Sequence, residues 1–535
     1  MSERAGGTDY RRKIKTREAL RELIGPRPRT RTVIMCHGVF DLVHPGHIRH
    51  LMYAKGKADI LVASLTCDAH IAKAAHRPFV PQELRAMNLA VLEVVDYVII
   101  DTNPTPIETV TFLQPDYFAK GYEYSGEGLR PMTHQEMEAL KSYGGEMIFT
   151  PGDIIFSSSA FIESAPPKIA AEKLATLLES EGVTFEAIRA AVSAFKGLRV
   201  HVLGDTIVDS YTTCTLIGGM AKTPTFSVKH ERQMDFAGGA GVVAKHLRQA
   251  GASVRLSTVL GDDPLKDSVL QDLEAAGVEC QGLVDHTRPT TQKNVFIAGG
   301  YRLLKVDRLD NRPIAERFVE QLAASLSASD ADAFVFSDFR HGIFSAQSIP
   351  VLTASLPPGA FRAADSQVAS RWGNILDFKG FDLITPNERE ARFSLGDQDS
   401  VVRPLALSLY RQAECRTLIL KLGDRGIMTH RSPREDDVRS FFTMDSFAGT
   451  VVDPVGAGDA LLAYATLALV STHSPVIASI LGSMAAAVAC EREGNQPVAS
   501  EDVLKKLDAV ERHLQYDDTP PVPETVGTET EGGAR

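Results

Sequence analysis

The chain has 535 residues, of which 44% are hydrophobic and 23% are charged, and its net charge is −11. This length predicts two or three domains that each bury a core, and the negative charge argues against nucleic acid or an anionic membrane as the main partner. No apolar run is long enough to span a membrane, the first residues lack a signal-peptide core, and the six cysteines form no CxxC pair. We therefore expect a cytoplasmic protein without membrane insertion, a zinc site or a disulfide framework.

The first part of the chain, residues 1–165, alternates strand and helix patterns after a basic stretch at 1–30. The pattern predicts strands at 32–36, 59–65, 97–100 and 146–150, with helical stretches between them. Such alternation indicates a doubly wound parallel sheet. The pair Pro166-Pro167 interrupts it, so we place the end of the first domain at residue 165.

Two histidines, His44 and His47, lie just beyond the first predicted strand. Gly38 allows a tight turn with close approach of a ligand, and Pro45 suits the first turn of a helix. The histidines then surround a helix N-terminus, where backbone N–H groups and the helix dipole attract phosphate. They could bind a triphosphate and stabilise charge during attack on its α-phosphate. The alternative is a capped helix start without a catalytic role.

The segment from Cys36 to His47 resembles the signature of the cytidylyltransferase-like nucleotidyltransferases. The resemblance extends to the segments 77–85, 115–121 and 157–159. It implies that His44, His47 and Lys120 are catalytic, and that a nucleotide is bound by Gly38, Phe40, Asp41, Arg85, Ser157, Ser158 and Ser159. Cytidylyltransferases usually carry an arginine just before the serine-rich loop, but Ile154-Ile155-Phe156 stands here. This departure favours ATP over CTP as the nucleotide.

A second α/β domain is predicted over residues 198–514, beginning with a strand at 199–205. Residues 166–197 predict a helical linker before it. Residues 515–535 are rich in Pro, Thr, Glu and Gly, which is typical of a disordered tail.

The run from Asp453 to Asp459 is the main chemical signal of the second domain. The small residues Gly456, Ala457 and Gly458 leave backbone N–H groups able to bind an anion at a helix start. Asp459 follows at once and can accept a proton from a substrate hydroxyl. An anion site beside a base is what phosphoryl transfer to an alcohol requires. The alternative is a glycine turn with Asp459 as a helix cap.

This domain resembles the ribokinase-like PfkB sugar kinases over about residues 198–512. The resemblance implies Asp459 as the base, Mg²⁺ held through waters by Asn387 and Glu390, and ATP as the phosphoryl donor. It further implies a small β lid over the sugar. By resemblance, the nucleotide and anion sites include Gly423, Gly426, Gly456, Ala457, Gly458 and Asn495, and the sugar site includes Asp205, Asp209, Gly238, Gly239, Lys293 and Asp338.

Two positions depart from the family pattern. Val242 stands where the family usually has a sugar-contacting asparagine, and Lys421 stands where threonine is common. Losing a polar group from a sugar site changes which substrate is chosen, so the sugar could differ or the kinase could be impaired. Arg302, Lys305 and Lys293 could bind a sugar phosphate or form a solvated strand face. We expect His50, His70 and His76 to be surface or supporting groups.

By resemblance, the two domains would catalyse consecutive kinds of step, since a sugar kinase produces a sugar phosphate that a nucleotidyltransferase can use. The pair resembles the bifunctional heptose-phosphate kinase/heptose 1-phosphate adenylyltransferase family, with the domain order reversed. That resemblance implies a homo-oligomer acting on a sugar phosphate and nucleoside triphosphates. One alternative is a cytidylyltransferase for a polyol or sugar phosphate fused to a kinase. Another is a regulatory protein that binds nucleotide or sugar through an inactive kinase domain.

Overall fold

The computed structural model describes residues 10–71, 78–121, 131–150, 170–219, 226–367, 374–434, 437 and 439–517. Two sheets that are largely parallel and flanked by helices confirm the predicted α/β class. A third, smaller sheet corresponds to the expected lid. Among the described residues, no helix combines the length and the apolar character needed to cross a membrane.

The structure has eighteen strands in its described residues, and those of the first domain lie close to the predicted positions. In chain order they are β1 (Val33–Gly38), β2 (Ile60–Thr66), β3 (Tyr97–Asp101), β4 (Tyr117–Gly121), β5 (Glu146–Thr150), β6 (Arg199–Gly204), β7 (Thr206–Gly219), β8 (Phe226–Gly239), β9 (Ser253–Gly261), β10 (Glu279–Asp285), β11 (Gln292–Ala298), β12 (Tyr301–Arg308), β13 (Ala333–Asp338), β14 (Phe361–Ser366), β15 (Leu383–Ile384), β16 (Thr417–Lys421), β17 (Ile427–His430) and β18 (Phe441–Met444).

The α-helices alternate with these strands. They are α1 (Arg17–Ile24), α2 (Pro45–Lys55), α3 (Gln82–Ala90), α4 (Ile107–Leu113), α5 (Pro131–Lys141), α6 (Ala170–Glu181), α7 (Phe185–Ala194), α8 (Ala240–Gln249), α9 (Pro264–Ala275), α10 (Glu316–Ser327), α11 (Ser348–Ala354), α12 (Glu388–Leu395), α13 (Val402–Ala413), α14 (Ala457–Thr472), α15 (Pro475–Cys490) and α16 (Ser500–Asp517).

The first sheet has the order β3-β2-β1-β4-β5, and every pair of neighbours is parallel. Successive side chains of a strand point to opposite faces. Accordingly, Ile34 and Cys36 of β1 pack in one apolar core while Val33 and Met35 pack in the other. Because both faces are covered, the strand is apolar at nearly every position.

The second sheet has nine strands in the order β10-β9-β6-β13-β14-β15-β16-β17-β18. Its pairs are parallel from β10 to β16, and the last two pairs are antiparallel. Ligands in such sheets bind at the carboxyl ends of the strands. Asp365 near the end of β14 and Lys421 at the end of β16 therefore lie at the edge where a ligand is expected.

The lid is a four-stranded sheet in the order β12-β11-β7-β8. β7 follows β6 after a single residue, and β8 leads directly into α8. The lid is therefore joined to the main sheet at the carboxyl end of β6.

Helices α6 and α7 occupy the segment predicted as a linker. Leu174, Leu178 and Ile188 lie in the same apolar core as Val202 of β6, so these helices pack as part of the second domain. Helix α6 also contacts the first domain, because Lys173 Nζ lies 4.2 Å from the centre of the Phe79 ring.

Candidate active sites

The first candidate site is built on the start of α2. His44 is the N-cap of this helix, and its Nδ1 accepts a hydrogen bond from the Gly46 N–H at 3.1 Å. The rings of His44 and His47 are 3.9 Å apart between centroids, and Phe40 packs 5.2 Å from His47. Burial lowers the pKa of His44, which favours a neutral imidazole. The structure therefore brings both predicted histidines together at a helix N-terminus.

Gly46 is required by this arrangement. A Cβ on Gly46 would lie 2.9 Å from the His44 Cε1 atom, closer than carbon atoms approach each other in proteins. The glycine of the motif therefore lets the cap histidine fold back over the helix start.

Asp41 and Arg85 are buried supports of the loops around this site. The Asp41 carboxylate accepts hydrogen bonds from the Phe79 and Val80 N–H groups at 2.9 and 2.8 Å. Arg85 is fully buried. Its guanidinium donates to the backbone oxygens of Val39, Thr66 and Val80, and it is paired with Asp68.

This position of Arg85 does not support the phosphate contact that the resemblance implies. A guanidinium has five N–H donors in a fixed plane, and here four of them donate to protein oxygens. Its burial explains the difference, since Arg85 connects the loop after β1 to the start of α3 and to the end of β2.

Lys120 lies near the end of β4. Its ammonium donates to the Thr133 hydroxyl at 3.2 Å and is paired with Glu136. Burial raises the pKa of Glu136, while Lys120 opposes that rise. The lysine is thus oriented by two residues of α5.

The remaining candidates of the first domain divide into two groups. The His50 Nδ1 contacts the Thr150 hydroxyl at 2.8 Å, and the His70 Nε2 contacts the Thr102 carbonyl at 2.8 Å. His76 and Ser157, Ser158 and Ser159 lie outside the described residues.

His37 is a residue that the sequence did not single out. It lies at the end of β1, and its two ring nitrogens contact the hydroxyls of Ser64 at 2.9 Å and Thr66 at 3.1 Å. Burial, assisted by the charge of Lys120, lowers the pKa of His37 to about 4. Only its position one residue before Gly38 signalled it.

The second candidate site is a cavity of about 760 Å³ in the second domain. Most of the predicted kinase residues line it, and they come from the lid, the strand ends and the start of α14. The predicted residues on its wall are Asp209, Gly239, Lys293, Asn387, Glu390, Gly423, Gly426, Gly456, Ala457, Gly458, Asp459 and Asn495.

Asp459 lies in the first turn of α14, directly after the glycine turn. Burial, reinforced by the nearby Asp365 carboxylate, raises the pKa of Asp459 to about 8, although Lys421 opposes the rise. A carboxylate with a raised pKa is a stronger base for a hydroxyl proton. The arrangement therefore suits proton abstraction beside an anion-binding helix start.

Asn495 organises the glycine motifs on both sides of the cavity. Its Nδ2 donates to Asp209 at 3.1 Å, and a Cβ on Gly456 would lie 2.1 Å from its Oδ1. A Cβ on Gly238 would lie 2.0 Å from an Asp209 oxygen. Gly456 also has φ +81°, which favours glycine. Gly238 thus leaves room for Asp209 and does not itself line the cavity.

Asp205 and Asp338 do not line the cavity either, although they were predicted to bind the sugar. The Asp205 carboxylate accepts from the N–H groups of Phe339 and His341 at 3.1 and 3.0 Å. Asp338 is paired with Arg340 at 3.0 Å and accepts from the Ser366 hydroxyl. Both are buried, and their oxygens shape the loop after β13 rather than facing a ligand.

Asn387 and Glu390 form a reciprocal cap at the start of α12. The Glu390 N–H donates to the Asn387 Oδ1 at 2.9 Å, and the Asn387 N–H donates to the Glu390 Oε2 at 2.7 Å. Burial raises the pKa of Glu390. Within the described ranges, no group of three or more His, Cys, Asp or Glu side chains could hold a metal directly. The carboxylate and amide oxygens fit Mg²⁺, which usually retains several waters.

The lid presents cations to the cavity. Lys293, Arg302 and Lys305 line it, and the Lys293 ammonium lies 5.3 Å from the centre of the Phe339 ring. Arg302 is paired with Asp453 at 3.0 Å, so the lid is tied to the loop before the glycine turn.

The two departures from the family pattern have different surroundings. Val242 is fully buried in α8 and does not line the cavity. Lys421 lines the cavity, and its ammonium is 2.9 Å from Asp365.

Comparisons with known proteins match two parts of the chain. The family model described as pfkB family carbohydrate kinase matches residues 198–502, and the Cytidylyltransferase-like model matches residues 35–134. The solved structure of phosphofructokinase-2 from Escherichia coli in complex with fructose-6-phosphate aligns with 59% of this chain and 100% of that chain, at 17% identity and a TM-score of 0.49.

Several curated relatives carry the name Bifunctional protein HldE, and two of them illustrate the match. The one from Desulfatibacillum aliphaticivorans is 29% identical over 345 residues, covering 61% of this chain and 69% of the relative. The one from Pelobacter propionicus is 36% identical over 313 residues, covering 57% of this chain and 62% of the relative. The chain therefore belongs to the pfkB family of carbohydrate kinases and carries a cytidylyltransferase-like nucleotidyltransferase domain ahead of the kinase, which makes it a bifunctional enzyme.

Proposed function

We propose that the chain activates a sugar in two steps. The kinase domain phosphorylates the anomeric hydroxyl of a heptose 7-phosphate or a similar sugar phosphate. The first domain then joins the sugar 1-phosphate to the adenylyl group of ATP and releases pyrophosphate.

One observation carries the proposal: Asp459 at the anion-binding helix start shares a cavity with the lid cations Lys293, Arg302 and Lys305. A neutral sugar needs no such cations, whereas a sugar that already carries a phosphate does. The cavity therefore suits a phosphorylated sugar placed between the lid and the catalytic carboxylate.

In the kinase step, the sugar hydroxyl attacks the γ-phosphorus of ATP. The new O–P bond forms while the bond to the β-phosphate oxygen breaks, and ADP leaves. Asp459 accepts the hydroxyl proton, and the backbone N–H groups at Gly456 and Gly458 bind the phosphoryl oxygens. Asn387 and Glu390 would hold Mg²⁺ through waters, and the ion, when bound, neutralises phosphate charge.

In the nucleotidyl step, an oxygen of the sugar 1-phosphate attacks the α-phosphorus of ATP. The bond to the pyrophosphate oxygen breaks, and pyrophosphate leaves. His44 and His47, at the start of α2, donate hydrogen bonds as charge develops on the phosphate oxygens. Lys120 adds positive charge at the end of β4.

Mass spectrometry of the products tests the proposal. The full-length chain is incubated with Mg·ATP or Mg·CTP and a panel of sugars, sugar phosphates, sugar 1-phosphates and polyol phosphates. We expect a sugar bisphosphate from ATP and an ADP-sugar from the sugar 1-phosphate. A CDP-linked product from CTP would replace the adenylyl assignment, and absence of any phosphorylated sugar would indicate an inactive kinase domain.

The cytoplasmic location and the homo-oligomeric state remain predictions from the sequence. Gel filtration with light scattering measures the oligomeric state directly.

A further inference from the structure

The kinase cavity contains an ammonium group to which the reaction described above gives no role. Lys421 is the last residue of β16, and Asp365 lies near the end of β14, two strands away in the same sheet. The Lys421 Nζ is 2.9 Å from the Asp365 Oδ2. Both residues line the cavity, and their side chains are only 17% and 13% exposed. The pair is therefore built into the wall of the site.

The ammonium lies against the glycine turn before Asp459. A Cβ placed on Gly458 would be 3.0 Å from the Lys421 Nζ. Gly458 belongs to the first turn of α14, whose backbone N–H groups have no partner within the helix. A phosphoryl group bound at this helix start would therefore meet the lysine as well.

The surroundings of Lys421 are otherwise acidic. Three carboxylates act on the Lys421 ammonium, those of Asp365, Glu390 and Asp459. Burial alone would lower the pKa of Lys421, but the attraction of these carboxylates is larger, so the pKa is raised. The second oxygen of Asp365, Oδ1, is buried and has no hydrogen-bond partner within the described residues. The carboxylates repel a polyphosphate that enters this region. A fixed cation beside the transferred phosphoryl group offsets that repulsion.

The backbone also holds Lys421 in place. Its N–H donates to the Pro386 carbonyl at 2.9 Å, next to Asn387. The backbone of Lys421 is thus attached to the loop that precedes α12 as well as to its own strand, and the pair with Asp365 holds the side chain in the cavity.

We propose that Lys421 is a catalytic residue of the kinase, whose ammonium contacts the phosphoryl group during transfer, and that Asp365 is the residue that positions it. The inference rests on the kinase activity proposed above. Lys421 keeps its proton throughout the reaction and gains attraction as negative charge moves onto the transferred oxygens and the leaving β-phosphate oxygen. A neutral side chain such as threonine could donate a hydrogen bond at this position but would carry no charge.

Steady-state kinetics of Lys421→Met and Asp365→Asn in the full-length chain test this role. We expect Lys421→Met to lower the kinase kcat by about 10²-fold or more, the scale of losing a preorganised donor to transition-state charge, with much smaller changes in both KM values. Asp365→Asn should lower kcat by a smaller factor. The double variant should be no slower than Lys421→Met, because Asp365 acts through the lysine.

Three further measurements separate this role from loss of folding. Lys245→Met removes another buried lysine, which is paired with Asp272 at 2.8 Å outside the cavity, and should leave kcat unchanged. Nucleotidyl transfer by each variant reports that the chain is intact. Lys421→Arg, which keeps the charge, should recover part of the lost kcat.

A second measurement does not depend on knowing the sugar. Binding of ADP with Mg²⁺ and aluminium fluoride, a mimic of the phosphoryl group in transit, is compared with binding of ADP alone. We expect Lys421→Met to weaken binding of the mimic by about 10²-fold and to change ADP binding little. Equal losses for both ligands, unchanged binding of the mimic, or a raised KM for ATP at normal kcat would each overturn the proposal. Failure of the wild-type chain to phosphorylate any sugar would instead refute the proposed function, and the binding comparison would still decide the role of Lys421.

Discussion

The two candidate sites use the residues of their signature motifs in different ways. In the kinase domain, Asp459, Asn387, Glu390 and Asn495 all reach one cavity. In the first domain, Arg85 is fully buried among protein oxygens. The contrast shows that a signature motif contains two kinds of residue. Some contact the ligand, and others are buried and hold the ligand-binding loops in place.

The largest expected effect tests whether the two sites work separately. Asp459→Asn should reduce sugar phosphorylation by roughly 10²-fold or more, since a general base contributes about 10²–10⁴-fold. Nucleotidyl transfer should not change, because His44 and His47 lie at the start of α2, whose Leu51 and Ala54 pack in the core of the first domain. ADP formation and pyrophosphate release from the same preparation measure the two activities. A parallel loss of both in a folded protein would contradict the two-site arrangement.

Arg85→Met tests the supporting role assigned to the buried arginine. Removing it leaves Asp68 without its partner and several backbone oxygens without donors, which should cost about 3–5 kcal/mol of stability in the first domain. Urea unfolding, followed by circular dichroism and by loss of nucleotidyl transfer, measures this cost. If the variant were stable but had a raised KM for the nucleotide, Arg85 would contact the phosphate, as the family resemblance implies.

The sequence predicts local features of the fold, but it does not show which motif residues contact a ligand and which are buried supports. The strand predicted at 32–36 and the turn at Gly456–Gly458 were predictable because burial on both faces and tight glycine geometry leave local signals. The engagement of Asp205 and Asp338 by the loop after β13 was not predictable. Their partners are set by tertiary packing, and a carboxylate in a motif looks the same whether it faces a ligand or a backbone N–H.

His47→Ala tests the catalytic part of the first signature. If His47 stabilises charge that develops at the α-phosphate, the substitution should lower the nucleotidyl kcat by about 10²-fold and raise the nucleotide KM much less. The kinase activity of the same protein is the internal control. A change in KM alone would make His47 a binding group, and an unchanged rate would leave only the structural role of the helix start.

The pH dependence of the two activities should differ below about pH 8. The pKa of Asp459 is raised to about 8 by burial and by Asp365, so the free enzyme holds a protonated, inactive carboxyl at lower pH. The kinase kcat/KM should therefore fall about tenfold for each pH unit below that value and level off above it. Nucleotidyl transfer should lack this limb, because burial lowers the pKa of His44. Matching profiles for the two activities would contradict this difference.

The smallest effect separates the two roles of His44, which caps α2 and stands beside His47. His44→Ala removes the acceptor for the Gly46 N–H and should cost about 1 kcal/mol of stability, as loss of an N-cap usually does. His44→Asn keeps a good cap acceptor, so its stability should stay close to that of the wild type. Both variants lose the imidazole whose ring lies 3.9 Å from that of His47, so both should lose nucleotidyl activity. Urea unfolding and pyrophosphate release on the two variants measure these effects side by side. If asparagine restored the rate together with the stability, His44 would serve only as a cap, and the charge at the α-phosphate would be stabilised without it.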